Sequence, residues 1–151
     1  EMAVRMEQNG AKFYRTAADK KKDSESVDYL LDLAAMEDDH EKTFKAMKED
    51  LSDAEKESNT YDPSGEVGMY LSAMVDGTGA EGAPEAADAL TGKESLREIL
   101  ATAVGLEKEA VLFYLGIKDM VPEGLGKDKI ENIISEERGH IVTLSKKLKS
   151  L

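Results

Sequence analysis

The stretch ILATAVGLEKEAVLFYLGI, residues 99–117, decides the fold. Ile99, Leu100, Ala103, Ala110, Phe113 and Ile117 recur at spacings of three and four, so they share one face of an amphipathic helix. One acid, Glu107, falls on that same face, between Ala103 and Ala110. A carboxylate inside an apolar stripe is costly unless something neutralises it.

The same pattern stands a hundred residues earlier, where Glu7-x-x-Gly10-x-x-Phe13-Tyr14 matches Glu107-x-x-Ala110-x-x-Phe113-Tyr114. Ala3, Met6, Gly10, Phe13 and Ala17 place this copy on a first helix running from about Glu1 to Lys22. The cations Lys20 to Lys22 suit its C-terminus, and Asp23 or Ser24 suits the N-cap of a second helix carrying Leu30, Leu33, Ala34, Phe44, Met47 and Leu51. Thr91-Gly-Lys-Glu94 has capping-box spacing and is expected to open the third helix, which stops near Val121-Pro122-Glu123-Gly124. A fourth helix carries Ile130, Ile133, Ile134, Ile141, Leu144 and Leu148. Between Ser52 and Gly92, glycine, proline and small polar residues mark a long connection. Val67, Tyr70, Leu71 and Met74 predict a short helix within it, and Asp76 to Gly82 is expected to be mobile. Period-two alternation is nowhere sustained. The expected architecture is therefore all-α: one domain over residues 1–151, an antiparallel four-helix bundle of two hairpins joined by a long crossover.

Both histidines of the chain sit in one context, Glu37-Asp-Asp-His40 and Glu137-Arg-Gly-His140, again a hundred residues apart. Three residues apart on a helix, a carboxylate and an imidazole lie on one face and can share a metal ion. Glu7 and Glu37 are equidistant from Lys22, and Glu107 and Glu137 from Pro122. At 1.5 Å per residue, each pair lies roughly 22 Å from its turn, so all four glutamates can meet in one layer. Glu37 and Glu137 also fall in apolar stripes, beside Leu33 and Ala34 and between Ile134 and Ile141. Two divalent cations neutralise four carboxylates, and two neutral imidazoles add a nitrogen ligand to each. The expected ligands are thus Glu7, Glu37, His40, Glu107, Glu137 and His140. Such a mixed set suits iron or manganese and is nitrogen-poor for structural zinc.

On these residues the chain resembles the ferritin-like superfamily, and most closely the rubrerythrin-like di-iron carboxylate proteins. The resemblance implies two iron ions, with manganese or a mixed pair also admissible. It implies bridging roles for Glu37 and Glu137, terminal roles for Glu7 and Glu107, and a homodimer. Tyr14 and Tyr114 are expected to pack in the core with their hydroxyls on ligand carboxylates. Typical rubrerythrins add a four-cysteine electron-delivery domain, not expected in a chain with no cysteine. They also carry an extra glutamate one turn after the third-helix ligand, where this chain has Ala110; Glu109 is out of phase.

Composition narrows the function further. Thirty-two Asp and Glu against twenty Lys and Arg give a formal charge of −12, which disfavours nucleic acid as a partner. Absence of cysteine excludes disulfides, thiol catalysis and thiolate-held clusters within these residues. No apolar run approaches the roughly 20 residues of a membrane span, and no basic-then-apolar leader opens the sequence, so a cytoplasmic location is expected. The expected function is an oxidoreductase acting on O2 or peroxide with a separate electron donor. The alternatives are an iron carrier or sensor without turnover, and a metal-free helical interaction module. Acid runs such as Glu136-Glu137 are expected to be solvated except at the ligand positions.

Overall fold

The structure is a computed structural model that describes residues 1–50, 64–76, 85–121, 124 and 126–151. Among the described residues the helices are α1 (Met2–Asp19), α2 (Ser24–Asp50), α3 (Glu66–Asp76), α4 (Glu85–Asp88), α5 (Leu96–Met120) and α6 (Lys127–Ser150). The fold is a ferritin-like helical bundle, in which α1 packs chiefly on α2 and α5 on α6.

Two apolar clusters show how the hairpins are set. One joins Phe13, Tyr14 and Ala17 of α1 and Leu30, Leu33 and Ala34 of α2 to Ile99, Leu100 and Ala103 of α5 and Leu144 of α6. The other joins Met6, Phe44, Phe113, Tyr114, Ile130, Ile133 and Ile134. The C-terminal half of α1 and the start of α2 thus lie level with the start of α5 and the end of α6. Consequently the two hairpin turns sit at opposite ends of the bundle, and the crossover must return the chain along its length. Within that crossover Leu71 of α3 is buried in the second cluster and Ala87 of α4 in the first.

Local chemistry accounts for most boundaries. α1 ends at Asp19, three residues before the expected Lys22, because the N–H groups of Lys20 and Lys21 bond the carbonyls of Ala17 and Ala18 and tighten the chain into a turn. Asp23 then caps α2, its Oδ1 accepting from the Ser26 N–H at 2.8 Å. At the start of α6, Gly126 takes φ 96°, a left-handed backbone that glycine adopts without strain. The expected short helix is α3. The four-residue α4 was not expected; it is too short for periodicity to register. The segment expected to be mobile lies, beyond Asp76, outside the described residues.

The expected cap of the third helix needs correction. Glu94 does fold back on Thr91, accepting from its hydroxyl at 2.6 Å and its N–H at 2.9 Å, and these bonds hold the Glu94 carboxyl down at about 2. That box closes a turn, not the helix. α5 begins four residues later, where Ser95 and Glu98 form a second capping box with the same spacing. Replacing Ser95 with alanine should therefore cost about 1 kcal/mol of stability. Thr91→Ala should cost distinctly less, and equal losses in parallel denaturant titrations would contradict this assignment of the helix start.

Candidate metal centre

Each long helix contributes to one buried polar layer between the two apolar clusters: Glu7 from α1, Glu37 and His40 from α2, Glu107 from α5, and Glu137 and His140 from α6. The four glutamates are at most 1 % exposed, and His40 and His140 are 3 % and 8 % exposed. All six residues singled out by spacing are brought together.

Their donor atoms form two overlapping groups, Glu7, Glu37, His40 and Glu137, and Glu37, Glu107, Glu137 and His140, with all ligand atoms in a group within 4.8 Å of one another. His40 Nδ1 lies 3.0 Å from Glu137 Oε1, 3.5 Å from Glu7 Oε2 and 3.9 Å from Glu37 Oε2. His140 Nδ1 lies 2.9 Å from Glu137 Oε2, 3.6 Å from Glu107 Oε2 and 3.7 Å from Glu37 Oε1. Glu37 and Glu137 thus face both imidazoles, whereas Glu7 and Glu107 each face one. The rings themselves stack with centroids 5.7 Å apart.

Proximity here is not hydrogen bonding. Both Glu137 oxygens, Glu107 Oε2 and both histidine Nδ1 atoms are buried without an aligned hydrogen-bond partner. Leaving a buried polar atom so costs about 1–3 kcal/mol, a penalty that a shared cation removes. Convergent, unsatisfied carboxylate oxygens and imidazole nitrogens are a donor set that fits a metal site.

Two tyrosines complete the layer. The Tyr14 hydroxyl donates to Glu107 Oε1 at 2.5 Å, and the Tyr114 hydroxyl donates to Glu7 Oε1. Each thus crosses from one hairpin to the glutamate of the other, an arrangement that fixes both carboxylates. Tyr114 also stacks on Phe44 with ring centroids 5.1 Å apart. Ala110 is buried beside the site, and Glu109, half-buried with its carboxyl pushed up by desolvation, joins neither ligand group.

A family model described as rubrerythrin matches residues 1–80 of this sequence. The chain belongs to the rubrerythrin family. No curated protein and no solved structure matches it. The rubrerythrin match takes in Glu7, Glu37 and His40; Glu107, Glu137 and His140 lie beyond it and join the site through the internal repeat and their geometry.

Two residues near this rubrerythrin site escaped the sequence reading. Glu136, expected to be solvated, is 61 % exposed at its side chain yet lies 2.8 Å from His40 Nε2 through Oε2. Position alone held the signal: it directly precedes a ligand on a helix facing α2. Tyr29 of α2 buries a hydroxyl with no hydrogen-bond partner among the described residues, and its pKa is raised by burial and by the charge of Glu107. Its counterpart in the repeat is Lys129, so the internal comparison could not reveal it.

In the metal-free protein the imidazoles serve as counter-charges. Burial would lower His40, but Glu137 and Glu7 outweigh it and push the ring up to about 11. Burial likewise opposes protonation of His140, which Glu107 and Glu137 push up to about 10. Glu107 is raised, chiefly by burial; Glu137 is lowered, since the closeness of His140, His40 and Glu107 outweighs its desolvation. Both histidines start from 6.5, so between that pH and about 10 the folded state holds more protons than the unfolded chain. Their stabilising contribution is complete below about 6.5 and declines as pH rises. Chelator-treated protein should accordingly lose Tm between about pH 6.5 and 9. Metal-loaded protein, whose imidazoles hold no such proton, should not follow that decline. A flat or rising Tm in the chelated sample would show that the rings are neutral.

Proposed function

We propose that this rubrerythrin is a non-haem di-iron carboxylate protein that reduces peroxide or O2. The observation that carries the reading is the pair of overlapping ligand groups sharing Glu37 and Glu137. In this assignment Glu37 and Glu137, common to both groups, would help hold either of two ions. Glu7 and His40 would complete one position, and Glu107 and His140 the other. The ligand charge supports two divalent ions, since four carboxylates and two neutral imidazoles balance them, and the donor types favour iron, with manganese the nearest substitute. When bound, two ferrous ions supply one electron each, the two that reduction of peroxide to two waters requires.

The chain's own residues hold and shield this chemistry. Tyr14 and Tyr114 engage one oxygen of Glu107 and of Glu7, leaving the other oxygen of each turned toward the histidines. Phe13 and Phe113, with the apolar clusters to which they belong, close the layer from above and below. These 151 residues contain no cysteine, so renewed reduction draws on a donor outside the bundle. Ala110 adds no further carboxylate to the set of four glutamates. That same position favours the second reading, a carrier or sensor that binds iron reversibly without consuming oxidant.

Anaerobic loading with ferrous iron is expected to give two ions per chain, and peroxide or O2 should then be consumed with development of a ferric absorption band. Binding of two ions with no oxidant consumed, whatever the reductant, would select the carrier reading. Side-chain truncation tests the shared geometry. Glu37→Ala or Glu137→Ala should lower bound iron from two toward none. Glu7→Ala or Glu107→Ala should leave about one ion, and identical losses in all four variants would contradict the bridging assignment.

A further inference from the structure

The internal repeat pairs each residue of the second hairpin with one a hundred positions earlier, and a complete repeat would make the two halves of the site equivalent. At the outer edge of the histidines the repeat fails. His40 Nε2, the ring nitrogen turned away from the ligand layer, is held by Glu136 Oε2 at 2.8 Å, across from α6 to α2. The matching position in α2 is Met36, which presents no carboxylate to His140. Among the described residues, every polar contact of His140 is made through Nδ1.

A second difference accompanies the first. A cavity of about 410 Å³ lies between α2 and α6, lined by Met36, Glu136 and Gly139 and by both imidazoles. Gly139 stands where the first half has Asp39, and a Cβ built on it would meet nothing within 4 Å. The His140 side chain is 11 % exposed and that of His40 is 4 % exposed. One histidine is clasped from behind; the other has an open flank.

A carboxylate on the far nitrogen of a ligating imidazole fixes its tautomer, so the proton sits on the outer nitrogen and the inner lone pair points at the metal. Resting on the dinuclear reading above, we propose that the two metal positions are unequal. Glu136 is a positioning residue for His40 and makes the Glu7–His40 position the tighter one. The Glu107–His140 position, whose histidine has no such outer partner among the described residues and is the more exposed of the two, releases and takes up its ion first. Losing such an outer partner typically weakens metal binding about 10- to 100-fold, which sets the gap expected between the two positions.

Cobalt(II) is a suitable probe, because it reports carboxylate–imidazole coordination through its visible absorption and does not react with oxygen on the titration timescale. Calorimetric and absorption titration of the metal-free full chain should show two steps separated by about 10- to 100-fold in affinity. Glu136→Met, which copies the first half, should bring the steps together by weakening the tighter one. Met36→Glu, which copies the second, should raise the weaker one. Both side chains are largely solvent-exposed, so these variants should keep the parent helicity and unfolding profile. Glu136→Gln keeps an acceptor for the His40 N–H and should preserve most of the gap. Two ions bound with a single affinity, or a two-step titration unchanged in Glu136→Met, would overturn the inequality and leave the dinuclear reading standing. Equal behaviour of the Gln and Met variants would overturn the positioning role. Failure of the parent chain to bind cobalt would remove both readings together.

Discussion

Four carboxylates in one buried layer are the constraint on which everything else in this bundle depends. Packed side by side and unneutralised, they would repel one another in a medium that solvates charge poorly, and no feasible number of apolar contacts above and below would offset that. The chain meets the constraint with two histidines in the same layer, which can stand as imidazolium counter-charges or, with their protons gone, as ligands to cations. A metal held by this layer would link folding and binding through the same atoms.

The scaffold reads as a set of supports for that layer. Apolar clusters lie on both sides, each drawing side chains from all four long helices, so the height of every glutamate and histidine in it is set by packing above and below. Tyr14 and Tyr114 tie each hairpin to the other hairpin's glutamate. Capping interactions at Asp23 and Ser95 begin α2 and α5 in the right register, and the left-handed backbone of Gly126 leads the chain into α6.

Much of this was legible in the sequence because it is periodic or repeated. Glu7, Glu37, Glu107 and Glu137 announced themselves by interrupting apolar stripes, and equal distances from two turns placed them at one height. Boundaries were harder. Thr91–Glu94 and Ser95–Glu98 carry the same capping spacing in tandem, and spacing alone does not say which box opens the helix. α4, at four residues, shows less than two turns of periodicity. Glu136 and Tyr29 act through a neighbour on another helix or through burial of a single hydroxyl, and neither leaves a mark on its own helix. The ligand layer, in short, is written in the spacing of the chain, whereas its surroundings depend on how helices distant in sequence are turned toward one another.

The crossed tyrosines have a consequence for how such a fold can change. Neither hairpin holds a finished site: each supplies the hydroxyl that the other's carboxylate requires, so a lone hairpin would have to pair with a copy of itself. Two identical chains related by a rotation axis are bound by that symmetry, and any substitution made in one appears in both. Joining the hairpins through a crossover lifts the obligation. Residues in the shared layer stay matched because each still serves its opposite number, while positions just outside it, such as Met36 and Glu136 or Asp39 and Gly139, are released to diverge. Covalent linkage thus converts a symmetric device into one whose two halves can be specialised separately.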